Sequence, residues 1–131
     1  MTAPIRIWLE AAHHGAFRIG GWAFVRSNVG AVSGSAGGQP RIDAAPNALA
    51  GIAAALKGLP DGAAVELHSA SPLVLASGVT RPGLVMRPAQ PAPGSPSAFT
   101  TAWAEFALGR AKARGAFSAP IPKSNLAKAG V

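Results

Sequence analysis

Period-2 alternation opens the chain. In "IRIWLE", Ile5, Ile7 and Leu9 alternate with Arg6, Trp8 and Glu10, which predicts a strand with two unlike faces. A Gly-punctuated turn, "HHGAFRIGG", leads into the aromatic and β-branched "WAFVR", a second strand. The turn "SNVG" and a weak third strand near "AVSGSAG" follow. Three sequential strands with short turns predict an antiparallel meander. The period then changes: in "RIDAAPNALAGIAAALKGLP", Leu49, Ile52, Ala53 and Leu56 fall on one helical stripe. Asp43 stands where a cap is needed, Pro46 in the first turn, and Lys57, Gly58 and Pro60 close the helix.

"AAVELHS" predicts a further strand carrying Val65 and Leu67 inward, and "SPLVLASGV" a short helix with Pro72 near its start. "RPGLVMRPAQPAPGSPS" is Pro-rich with little period and is read as a connection without firm structure. The strongest helix pattern is "SAFTTAWAEFALGRAKARG". Phe99, Trp103, Phe106 and Ala107 form its expected apolar stripe, and Arg110, Lys112 and Arg114 crowd the C-terminal turn, where positive charge suits the macrodipole. "AFSAPIP" predicts a fifth strand, confined to an edge by its prolines. The expectation is one α/β domain over residues 1–131, with a Pro-rich connection at 81–97 and a polar tail at 123–131.

Composition narrows this picture. A chain of 131 residues that is 49% hydrophobic can bury one continuous core. Cysteine is absent, which excludes disulfides and thiolate metal sites and fits a reducing compartment. The N-terminal "MTAPIRIWLEAAHH" lacks the basic and apolar regions of a signal peptide, and no apolar run approaches the roughly 18 residues of a membrane span. A soluble cytoplasmic protein without a membrane partner is expected.

Charge is uneven. The formal net charge is +7, yet residues 1–80 carry five basic and four acidic groups, whereas residues 81–131 carry seven basic groups against Glu105 alone. Such a balance favours a polyanionic partner and places the footprint in the C-terminal part. Arg81, Arg87, Arg110, Lys112, Arg114, Lys123 and Lys128 are the candidate phosphate contacts. The plainer reading is a solvated basic surface that aids solubility.

Several stretches resemble the ribonuclease H family. "IRIWLEAA" is similar to its first strand, which ends in an Asp-Gly-Ser turn, and "GGWAFVR" to its Gly-Gly-aromatic second strand. "NALAGIAAAL" resembles its Glu-Leu-x-Ala-x-x-x-Ala-Leu helix, and "VELHSAS" the strand that ends in Thr-Asp-Ser. The likeness covers residues 4–79 well and beyond residue 98 rests on element order. It implies a ribonuclease-H-like fold: a five-stranded mixed sheet, with strands 1–3 as a meander and helices mainly on one face.

Active members use carboxylates at four positions to hold two divalent ions, which activate a water and stabilise the leaving oxygen. The resemblance places Glu10 at the first, Ala48 at the second and Ala70 at the third. The fourth belongs at the start of a helix after the fifth strand, for which the chain leaves no room beyond "AFSAPIP". Glu10 is thus the only retained acid, read either as a surviving site acid or as a strand-end charge facing solvent. The implied character is a pseudoenzyme without cofactor, with Mg²⁺ or Mn²⁺ needed only if it is catalytic. A site rebuilt around His13, His14 or His68, with Mn²⁺ or Zn²⁺, is the enzymatic alternative. Minor-groove contacts are also weakened: Ala44 and Ala45 stand where the family places two asparagines, and Pro72 where it places a polar residue.

Three functions follow as expectations. The first is a catalytically degenerate protein that binds RNA, DNA or RNA–DNA hybrid through its basic C-terminal half. The second is a divalent-metal-dependent hybrid ribonuclease. The third is a homodimer or protein-interaction module. It would use a sheet face that a missing last helix leaves uncovered, with Arg6, Trp8 and His68 at the interface.

Overall fold

The computed structural model describes residues 3–131. Its elements, in chain order, are β1 (Ile5–His14), β2 (Ile19–Asn28), β3 (Ala31–Pro40), α1 (Ala44–Leu56), β4 (Val65–Ser69), α2 (Pro72–Leu75), β5 (Leu84–Pro88), α3 (Pro96–Arg114), β6 (Phe117–Pro120) and α4 (Lys123–Leu126). The strands form one mixed sheet in the order β5-β4-β1-β2-β3-β6. β1, β2 and β3 are the predicted antiparallel meander, β4 lies parallel to β1 and β5 parallel to β4, and β6 pairs antiparallel with β3.

The sheet has six strands, not five. The extra strand is β5, within the segment read as a Pro-rich connection. Leu84, Val85 and Met86 are all apolar, so the sequence shows no polar alternation there, although Leu84 and Met86 turn half-buried toward the core and Val85 is exposed. The "AFSAP" strand is β6, at the opposite edge. α3, the strongest predicted helix, therefore follows the fifth strand in chain order and not the fourth.

Period-2 alternation along β1 divides the core in two. Ile5, Ile7 and Leu9 join Trp22, Phe24, Val65 and Leu67 beneath α1, through Ala48, Ile52 and Ala55. On the other face, Ala23, Val25 and Ala36 pack against Ala104 and Ala107 of α3, joined by Ile121, Leu126 and Ala129 from the C-terminal segment. The expected placement of helices mainly on one face is thereby corrected: α1 and α3 cover opposite faces. Nor is residues 123–131 a free polar tail, because Leu126 and Ala129 are buried.

Close approach explains why α3 turns a face that its aromatic pattern did not predict. A Cβ at Gly21 would collide with the backbone of Ala104 and Leu108, and one at Gly38 would lie 3.0 Å from the Ala107 carbonyl oxygen. Glycine in the sheet thus lets the helix backbone settle almost directly on the strands. The buried residues of α3 are accordingly small: Ser97, Thr100, Ala104, Ala107 and Ala111. Phe99 and Trp103 sit at the margin and Phe106 is 54% exposed. α1 is rotated likewise, burying Asn47, Ala48, Gly51, Ile52 and Ala55 while Leu49 and Ala53 face out.

Candidate functional site

Glu10 lies on β1 opposite Ala23 of β2, on the face that α3 covers. Its carboxylate is enclosed where the end of β4 and the first turn of α3 meet. The Ala70 amide, just past β4, donates to both oxygens at 3.0 Å. Ser69 Oγ donates to Oε1 at 3.1 Å and Ser97 Oγ to Oε2 at 3.0 Å. Ser69 in turn accepts the Ser71 amide at 3.0 Å, which fixes its hydroxyl toward the acid.

Only 3% of Glu10 is exposed, which corrects the reading of a strand-end charge facing solvent. Burial pushes its carboxyl above the ordinary value of 4.5, against the opposing pull of the Ala70 amide and the Ser97 and Ser69 hydroxyls. Among the described residues no cation lies within 4.0 Å of it.

Beside this carboxylate runs an open cleft of about 500 Å³, lined by residues that include Glu10, His13, His14, Ala70, Ser71, Pro72 and Glu105. It opens beyond the C-terminal end of β4, where the chain directions around β1 diverge, a usual place for a ligand in an α/β sheet. The structure brings Ala70 to Glu10, as the resemblance implied, but Ala48 points from α1 into the apolar core on the other face of the sheet. It also supplies a residue that sequence reasoning missed, Ser97. The available signal was "SPS": Ser95 caps α3 by accepting the Ala98 amide at 3.1 Å, and Pro96 occupies the first turn.

The histidines do not rebuild a metal site around Glu10. His13 Nε2 meets the Ile42 carbonyl at 2.8 Å, His14 stacks on Phe17, and His68 stacks on Trp8 with centroids 5.4 Å apart. No group of three His, Asp or Glu side chains converges among the described residues. Hard divalent ions need several unengaged oxygens. A single carboxylate already saturated by hydroxyl and amide donors, with Ala70 and Ser97 beside it, does not fit a Mg²⁺ or Mn²⁺ pair.

The interface residues Arg6, Trp8 and His68 do come together, but not as an uncovered face. Trp8 is 9% exposed; the His68 ring stacks on it and the Arg6 guanidinium lies 5.4 Å from its centroid. α3 covers the neighbouring β1–β3 part of that face.

The basic candidates divide. Arg81 is engaged within the fold, its guanidinium donating to the carbonyls of Leu56, Leu59 and Pro60 at the end of α1, at 3.3, 3.0 and 2.7 Å. Arg87 lies on β5, 3.9 Å from Glu66. Arg110, Lys112 and Arg114 are exposed at the end of α3, and Lys123 and Lys128 are exposed in the C-terminal segment. Among the described residues none of these five has a carboxylate partner within 4.0 Å.

No protein-family model matches the sequence, and no curated protein matches it. No helix among the described residues is long and apolar enough to cross a membrane.

Proposed function

We propose that this chain is a ribonuclease-H-like domain that does not hydrolyse and instead binds nucleic acid through its basic C-terminal half. The observation that carries this reading is the set of unpaired cations: Arg110, Lys112, Arg114, Lys123 and Lys128, exposed and without carboxylate partners. No Asp or Glu occurs after Glu105. Unpaired basic groups attract phosphate at long range and release condensed counterions on contact, which gives affinity without sequence selectivity.

The degenerate site supports the same reading. Glu10, the end of β4 at Ala70 and the first turn of the helix after the fifth strand meet at one point, as the resemblance requires of three carboxylate positions. Two of those three are occupied by Ala70 and Ser97, and the remaining acid is turned inward. What held metal in the family would here hold β1, β4 and α3 together.

The test titrates RNA–DNA hybrid, double-stranded RNA and double-stranded DNA into the protein by fluorescence anisotropy with Mg²⁺ or Mn²⁺ present, with products run on a gel. Binding to all three, weakened at least tenfold by the combined substitution of Arg110, Lys112 and Arg114 with Ala, and no cleavage, is the expected result. Cleavage of the hybrid that disappears in Glu10→Gln would overturn the non-hydrolytic reading.

A further inference from the structure

Aromatic and basic side chains share one stripe of α3. Phe99, Trp103, Phe106, Arg110 and Arg114 follow one another at three- or four-residue intervals and so project from one side of the helix. Phe99 and Trp103 rest half-buried at the margin of the core between α3 and the sheet, which α3 fills with its small residues, and Phe106, Arg110 and Arg114 are left exposed. Trp103 meets Phe99 at 6.4 Å and Phe106 edge-on at 5.3 Å between centroids. Arg110 lays its guanidinium 4.3 Å above the Phe117 ring of β6.

Two concavities flank this row. One, of about 230 Å³, lies between α3 and β6 and includes Trp103, Phe106, Arg110 and Phe117 in its lining. The other, of about 560 Å³, is lined by Phe106, Gly109, Arg110 and Arg114. Glu105, the nearest acid in sequence, lines the separate cleft beside Glu10.

We propose that this stripe is a binding platform for single-stranded nucleic acid, with Phe106 and the Arg110 guanidinium stacking unpaired bases and Arg114 holding the adjoining phosphates. The inference rests on the nucleic-acid reading above and narrows it to a ligand class. Three features favour this occupant. Phe106 is 54% exposed and contributes little to the core, so its ring is free to stack. A planar guanidinium fixed over one ring presents its other face to a second flat group. From Phe106 to Arg114 the row runs about 12 Å along the helix, changing from apolar to basic, which suits a strand offering both base faces and charge. A duplex keeps its base faces stacked inside and can use only the cations.

The test uses the full chain with labelled oligo-dT, oligo-rU and a blunt DNA duplex, comparing wild type with Phe106→Ala, Phe106→Leu and Arg110→Lys. Stacking predicts that both Phe106 variants weaken single-strand binding about tenfold and leave duplex binding within about twofold. Arg110→Lys, which keeps the charge and loses the plane, is expected to weaken single-strand binding severalfold. Full retention of single-strand affinity in Phe106→Leu would overturn the platform, as would a duplex bound as tightly as the single strands. That second outcome leaves polyanion binding standing, whereas failure of all three probes to bind removes both readings. Self-association lost in Phe106→Ala, without an effect on oligonucleotide binding, would reassign the stripe to contact between copies.

Discussion

Ser97, in the first turn of α3, donates its hydroxyl to the Glu10 carboxylate on β1 at 3.0 Å, joining residues 87 positions apart in a buried contact. With Ser69 and the Ala70 amide on the same carboxylate, a single acid ties together β1, the end of β4 and α3. Removing its acceptors strands those donors in the interior. Glu10→Ala is therefore expected to cost roughly 2–3 kcal/mol, read as a lowered denaturant midpoint. Serine-to-alanine changes at Ser69 or Ser97 should cost less, about 1 kcal/mol each.

The same carboxyl sets a pH dependence. Folding raises it above its ordinary 4.5, so the folded chain holds the proton more tightly than the unfolded one. Its contribution to stability is whole below about that value and is lost as pH rises through the folded value. In Glu10→Gln this loss should vanish: between acid and neutral pH the variant is expected to gain stability relative to wild type. Urea melts across that range decide the matter, and parallel curves for the two proteins would contradict the assignment.

The β2–β3 turn offers an independent check on the backbone. Val29 and Gly30 both adopt positive φ, 50° and 81°, the pattern of a tight hairpin turn that favours Asn-Gly. A β-branched residue is strained there, and Val29 is 81% exposed with no packing to offset the strain. Val29→Asn should stabilise the protein by about 1 kcal/mol, raising the thermal midpoint without altering nucleic-acid binding.

Much of the fold was legible because alternation and helical period report burial directly. β1, the meander, α1, β4 and α3 stand where those patterns placed them. Orientation was less legible. Bulk suggested that Phe106 faces inward, but Gly21 and Gly38 bring the α3 backbone so close to the sheet that only small side chains fit between them. β5 escaped notice because it is a short edge strand among prolines whose first three residues, Leu84, Val85 and Met86, are all apolar, so its half-buried face at Leu84 and Met86 leaves no alternating pattern. In the candidate site, Glu10 and Ala70 were paired by what the resemblance implied, whereas Ser97 depends on a chain return of 87 residues that no short pattern encodes.

Arg81 separates structural from electrostatic cations. Its guanidinium caps carbonyls at the end of α1, so Arg81→Ala should cost roughly 1–2 kcal/mol of stability while leaving oligonucleotide affinity within about twofold. Thermal melts and anisotropy on the same sample measure both. A large affinity loss with unchanged stability would reverse its role.

The most direct measurement is the salt dependence of nucleic-acid binding, comparing wild type with the variant in which Arg110, Lys112 and Arg114 are all alanine. If these unpaired cations form the contact surface, wild-type affinity falls steeply with salt. The plot of log affinity against log salt becomes shallower by about 2–3 in the variant, as three neutralised phosphates require. A wild-type affinity that stays flat from low to moderate salt, or a slope that the triple substitution leaves unchanged, would contradict the account.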